Sequence, residues 1–258
     1  MGIVDVTLLF LAGIVGGVMN SIAGGGSFVT FPALMLSGVP PVMANASNTL
    51  ASVAGYLSGA YAFKEDILKD KGNVFKVLVC SVLGGGIGAW CLIHVEENTF
   101  LKVVPWLLLF ACVLFLVGAR LNRFLQKVAT KYQHASKFGA FFIGLGVLVI
   151  SIYGGFFNAG LGIISLSLLV IAGYRDINTM NGVKLLISCG VSLTAVVIFV
   201  VQGVIAWPAT LVVLLGTLLG GYYAARISRR LPQVWVNRTV ITISVSVTGY
   251  FFYTSYFA

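Results

Sequence analysis

Residues 19–31 read MNSIAGGGSFVTF: three consecutive glycines in an apolar run, with Asn20 before them and Ser27 after. Glycine reaches backbone conformations closed to other residues, so this triplet is expected to break a helix. The apolar stretch that follows, 27–37, is short of the roughly 20 residues that cross a bilayer as helix. A break leaves unpaired N–H groups at the start of the next helical piece, and those groups favour negative charge. Whether the break sits in lipid is decided by the rest of the chain.

Of 258 residues, 59% are hydrophobic and 9% charged, and the mean hydropathy is +1.03. A single soluble core could not hide that much apolar surface, so the solvent is lipid. Long apolar stretches run over about 4–22, 42–63, 74–95, 100–119, 138–160, 177–203, 206–226 and 239–257, near the length that spans a bilayer. Two shorter ones, 27–37 and 163–173, are helical but short. The chain therefore reads as an all-α polytopic membrane protein, a single integral domain over 1–258 with no soluble module. Asp5, and the lack of Lys or Arg before Lys64, do not fit a cleaved signal peptide. Cys80, Cys91, Cys112 and Cys189 lie inside apolar segments without a CxxC pair, which reads as small packing residues.

The net charge of +9 reports orientation before it reports partners. Lys64, Lys69, Lys71 and Lys76 flank one connection; Arg120, Arg123, Lys127, Lys131 and Lys137 occupy 120–137; Arg226, Arg229, Arg230 and Arg238 fill a third. If both short segments cross the membrane, these clusters and Arg175 share one face and leave Lys102 on the other. The positive-inside rule then favours ten segments, five in each half, with 120–137 a basic cytoplasmic connecting loop and both termini outside. The first repeat would be 1–119 and the second 138–258, inverted relative to each other.

Internal similarity supports that division. GGVMN at 16–20 resembles GGFFN at 154–158, and from Asn45 onward the halves align with an offset of 136. Asn45 meets Asn181, Ser52 meets Ser188, and LGG at 83–85 meets LGG at 219–221. Asn45, Asn48 and Ser52 follow the spacing i, i+3, i+7, one face of a helix; Asn181, Lys184 and Ser188 repeat it. The halves thus differ where Asn48 becomes Lys184. An inverted pair would bring the two stripes together as a polar chamber with one positive charge. A lysine in an apolar span costs about 2.5–3.5 kcal/mol on insertion scales, so Lys184 is expected in or beside a transport path, or else snorkelling.

The second half has its own break at NAGLGIIS, 158–165, with Asn158, Gly160, Gly162 and a closing Ser165. Paired breaks of this kind bind anionic groups in transporters, and Gly24, Gly25, Gly26, Gly160 and Gly162 are candidates for that role. Close helix packing through small residues is the competing explanation.

Residues 16–52, GGVMNSIAGGGSFVTFPALMLSGVPPVMANASNTLAS, resemble the signature of the TauE/SafE family of sulfite and organosulfur anion exporters: a glycine triplet, a proline, a Gly-x-Pro turn, then a polar helix start. Residues 153–188, YGGFFNAGLGIISLSLLVIAGYRDINTMNGVKLLIS, resemble the second motif of one branch, with GLGII in place of a triplet and Val170 where the first repeat has Pro32. The resemblance implies export of sulfite, or sulfonates such as sulfoacetate, across the bacterial cytoplasmic (inner) membrane. The residues ask independently for a small anion, since a sulfonate offers three acceptor oxygens to lysine, helix N-termini, asparagine and serine.

The expected partners are a small anion and the lipid bilayer, with no nucleic acid and no cofactor. A homodimer, and a coupling proton or sodium ion, are each compatible with the chain. All seven acids, Asp5, Glu65, Asp66, Asp70, Glu96, Glu97 and Asp176, lie near ends or loops, so no embedded carboxylate declares a proton path. An anion channel could use the same chamber. A membrane-embedded enzyme is the weaker alternative: no nucleophile–base pair is visible, His94 with Glu96 and Glu97 forms no ligand set, and His134 lies in a basic loop.

Overall fold

The computed structural model describes residues 1–22, 24–68, 71–129, 137–174, 176–227 and 233–257. Lys69, Asp70, Lys131, His134, Arg175, Arg229 and Arg230 lie outside them. The helices are α1 (Ile3–Ile22), α2 (Ser27–Leu36), α3 (Pro41–Ala62), α4 (Lys64–Ile67), α5 (Lys71–Ile93), α6 (Glu97–Ala129), α7 (Lys137–Phe156), α8 (Leu161–Ile171), α9 (Ile177–Val201), α10 (Trp207–Ile227) and α11 (Gln233–Tyr256). Among the described residues there is no strand, and the molecule is an all-α polytopic membrane protein.

Five helices, α1, α5, α6, α9 and α10, are long and apolar enough to cross a bilayer. Their outward faces carry Leu83, Trp90, Val197 and Leu215, each more than half exposed. In water an apolar surface this continuous would drive association, whereas lipid solvates it. Trp106 Nε1 donates to Tyr256 Oη at 2.9 Å, and that hydroxyl donates to the Lys102 carbonyl at 3.0 Å, joining α6 to α11 through amphipathic rings.

Several boundaries differ from the hydropathy reading: α11 opens at Gln233 rather than 239 and α7 closes at Phe156 rather than 160, and two further differences are instructive. α6 runs on through Ala129, so residues 120–129 are helical and the connection is shorter than 120–137. The extension, RLNRFLQKVA, has good helix formers but too many charges to register as apolar. The second difference is α4, a single turn of sequence KEDI that hydropathy passes over. Pro41 opens α3 at a position where its missing N–H costs nothing. Asp176 caps α9, accepting from Thr179 N at 2.8 Å and Thr179 Oγ1 at 2.7 Å.

Helix neighbours follow one pattern. α1 packs on α10, and α7 packs on α5; α3 contacts α10, and α9 contacts α5; α2 lies on α1 and α3, and α8 on α7 and α9. Exchanging the halves, α1 for α7, α2 for α8, α3 for α9, α5 for α10 and α6 for α11, returns these same pairs, while α3–α9 and α6–α11 pair with themselves. The tightest approaches are made through glycine. A Cβ at Gly88 of α5 would collide with the Ile152 carbonyl oxygen of α7, and one at Gly220 of α10 with the Ile14 carbonyl oxygen of α1. The LGG segments sit on these seams, Gly84 against Ser151 and Gly220 against Ile14, so their glycines allow backbone-to-backbone packing.

Candidate functional site

Both breaks form where the glycines predict, by different devices. In the first, Gly24 has φ +82° and its N–H returns to the carbonyls of Met19 (3.0 Å) and Asn20 (3.1 Å), closing α1. The left-handed conformation there suits glycine. Gly25 and Gly26 have another reason to be small: a Cβ on Gly25 would press on Val240 and Phe115, and one on Gly26 on Gly16 and Asn20. In the second break the left-handed glycine is Gly160, φ +81°, which precedes α8 and accepts from Ile163 N and Ile164 N.

Gly24 and Gly162, equivalent in the register that aligns GGVMN with GGFFN, face each other: a Cβ on Gly24 would lie 3.9 Å from Gly162 Cα. The same construction on Gly162 meets Lys184 Cδ at 3.5 Å. The structure therefore gathers Gly24, Gly162 and Lys184 where the two breaks meet. Lys184 is part-buried, and among the described residues its ammonium has one hydrogen-bond partner, Asn181 Oδ1 at 3.4 Å, and no paired carboxylate.

The stripes lie on α3 and α9, which pack together. Asn45 is 1% exposed and donates across the halves to the Phe156 carbonyl at 2.8 Å, while its Oδ1 has no partner among the described residues. A buried amide oxygen left so is a place for a donor from water or ligand. Asn48 donates to Ser27 Oγ at 3.1 Å and accepts from the Thr30 hydroxyl. Ser52 and Ser188 turn back on their own helices, to the carbonyls of Asn48 (2.9 Å) and Lys184 (3.1 Å). Ser165 does the same, to Leu161 O at 2.8 Å; it is the fifth residue of α8, whereas Ser27 is the first of α2. The resemblance between the two serines in sequence is thus not one of position.

Asn158 joins both stripes: its Oδ1 accepts from Tyr56 Oη at 2.7 Å and its Nδ2 donates to Ser192 Oγ at 2.9 Å. Asn20 lies on the same side of α3, its Nδ2 3.8 Å from where a Gly55 Cβ would be. Tyr56, Ser192 and Thr30 were not among the sequence candidates. Tyr56 and Ser192 continue the two stripes by one more turn, four residues beyond Ser52 and Ser188, and that spacing would have found them. His94 rests against Trp90, with Nδ1 2.8 Å from the Trp90 carbonyl. Cavities of about 210 and 220 Å³ lie elsewhere, one beside Met35, Leu101 and Phe251, the other beside Cys80, Val147 and Leu168.

The family model for "Sulfite exporter TauE/SafE" matches residues 9–251, across both breaks and both stripes. The chain belongs to the TauE/SafE family. A "Probable membrane transporter protein" of Haemophilus influenzae is 26% identical over 250 residues, covering 96% of this chain and 95% of the relative. The "Probable membrane transporter protein YfcA" of Escherichia coli K12 is 23% identical over 250 residues, 96% of this chain and 90% of the relative. The "Probable membrane transporter protein ORF9" of a Sinorhizobium species is 24% identical over 240 residues, 93% and 89% of the two chains. No solved structure matches. Membership makes this a multi-pass protein of a membrane-transporter family.

Proposed function

We propose that this TauE/SafE protein is a carrier that exports small sulfur-containing anions, sulfite or sulfonates such as sulfoacetate, across the bacterial cytoplasmic membrane. The observation that carries the reading is Lys184: a part-buried lysine in an apolar helix whose stem lies beside Gly162 at the start of α8, with an asparagine as its one hydrogen-bond partner among the described residues. A cation so placed in an apolar span is costly unless an anion visits it. The family description agrees with an oxyanion of sulfur. Asn181, which accepts from Lys184 through Oδ1, has its Nδ2 left to donate to an anion's oxygen.

The two halves are read as inverted repeats. Supporting this, the most extensive helix pairs are unchanged when the halves are exchanged, and Gly24 and Gly162 meet, as equivalent residues do beside a twofold axis. Alternating access would then move one half against the other about the breaks. Tyr56 bonds to Asn158 across the halves, a contact that such a movement would break and remake. The test is uptake of labelled sulfite and sulfoacetate into proteoliposomes, with planar-bilayer recording on the same preparation. Saturable uptake without unitary currents supports the carrier; unitary anion currents replace it with a channel, and no movement of either anion removes the substrate assignment.

A further inference from the structure

A cavity of about 220 Å³ opens between α5, α7 and α8, lined by no residue of either break. Its walls are apolar, with Ile143, Val147, Leu168 and Leu169 around Cys80. Gly144 lines it as well, and a Cβ built there would meet nothing within 4 Å. Gly84 and Gly88 let α5 and α7 pack closely, whereas Gly144 adjoins open space. Beside the cavity, Phe75 and Val79 of α5 and Leu145 and Val149 of α7 are exposed, so it lies along a surface that lipid solvates.

One end of the cavity is charged. Lys76, exposed in the second turn of α5, lines it together with Tyr174, three residues beyond the end of α8. α5 begins at Lys71 and α7 at Lys137, and in sequence Lys69 and Arg175 adjoin the same helix ends. Of the acids next to them in sequence, Asp70 and Asp176, the second is engaged in capping α9. Among the described residues no carboxylate lines the cavity. The cavity beside Met35, Leu101 and Phe251 differs, since no charged side chain lines it among the described residues.

We propose that the cavity between α5, α7 and α8 binds an anionic phospholipid, one acyl chain entering between the helices and the phosphate resting on Lys76. Apolar walls accept methylene groups, and a few placed polar groups fix orientation, as in other ligand cavities. The volume holds part of one chain rather than a whole lipid. A lysine where helices emerge from the membrane attracts an anionic head, and a tyrosine suits the same interfacial level. This site is separate from the one read for the carried anion.

Native mass spectrometry of the full chain, titrated in detergent with phosphatidylglycerol or with phosphatidylethanolamine of the same acyl chains, tests the site. One phosphatidylglycerol is expected to bind about 5-fold or more tightly than phosphatidylethanolamine, the scale of one lysine against an anionic head. Lys76→Gln changes an exposed residue and should bring the two lipids to equal affinity. Gly144→Leu places a side chain in the open space. It should weaken both lipids while keeping thermal stability without lipid at or above wild type, since leucine is the better helix former. Maleimide labelling locates the chain: phosphatidylglycerol should slow modification of Cys80, with Cys91 of the same helix as the reference. Equal affinity of wild type for the two lipids, or a preference kept by Lys76→Gln, overturns the proposal. Unchanged binding in Gly144→Leu, or Cys80 equally reactive with and without lipid, overturns it too. None of these outcomes bears on the carrier reading, which transport measures.

Discussion

Tyr56 of α3 donates its hydroxyl to Asn158, at the break between α7 and α8, across 2.7 Å and across the boundary between the halves. Both residues are buried, and Asn158 passes the connection on to Ser192 of α9. Removing one partner of such a bond leaves the other unsatisfied in a medium without water to replace it. Tyr56→Phe is therefore expected to destabilise the purified protein by about 1–3 kcal/mol. Thermal unfolding in detergent measures this. Ser192→Ala should cost less in the Tyr56→Phe background than alone if the three groups act as one network, and strictly additive effects would separate them.

The glycine seams make a second, purely steric prediction. Gly88→Ala and Gly220→Ala each force a methyl into a facing carbonyl oxygen, so both should destabilise by about 1–3 kcal/mol, the range of overpacking. Gly249→Ala is the control, since a Cβ there meets nothing within 4 Å. Equal thermal stability for all three variants would mean that these helices are farther apart than they stand here.

Orientation gives a third. The proposed inverted halves place both termini outside and the connection after α6 inside. Single cysteines introduced near residue 2, at 133 and at 257, in a background lacking Cys80, Cys91, Cys112 and Cys189, should react with an impermeant reagent in intact cells at the two termini alone. Labelling at 133, or termini on opposite faces, would exclude the ten-segment arrangement.

The helices were legible because lipid asks for one simple thing, about 20 apolar residues in a row, and the ends at 22, 36, 171 and 201 fall within two residues of the hydropathy reading. That reading fails where a helix carries too many charges to register as apolar, as in the extension of α6 to Ala129 and the single turn of α4. The stripe on α3 is legible from its spacing, and Tyr56 continues it by one more turn. What sequence could not separate is the reason for each glycine. Gly24 is needed for its backbone angle and Gly26 for the closeness of Gly16, whereas a Cβ at Gly162 would make only ordinary contacts, yet all three read alike in one dimension. Nor could the spacing tell that Asn48 turns to Ser27 while its counterpart Lys184 keeps a single long contact, because that depends on which neighbours the fold supplies.

The most direct test of the account is the charge on Lys184. Lys184→Met retains most of the stem and removes the ammonium; Lys184→Arg keeps the charge with a broader planar head. In proteoliposomes carrying equal amounts of folded protein, counterflow of labelled sulfite and sulfoacetate should lose affinity by about 10- to 100-fold in Lys184→Met, the scale of one charge-assisted hydrogen bond, and be partly kept in Lys184→Arg. Wild-type counterflow in Lys184→Met would contradict the account, showing the lysine to be structural.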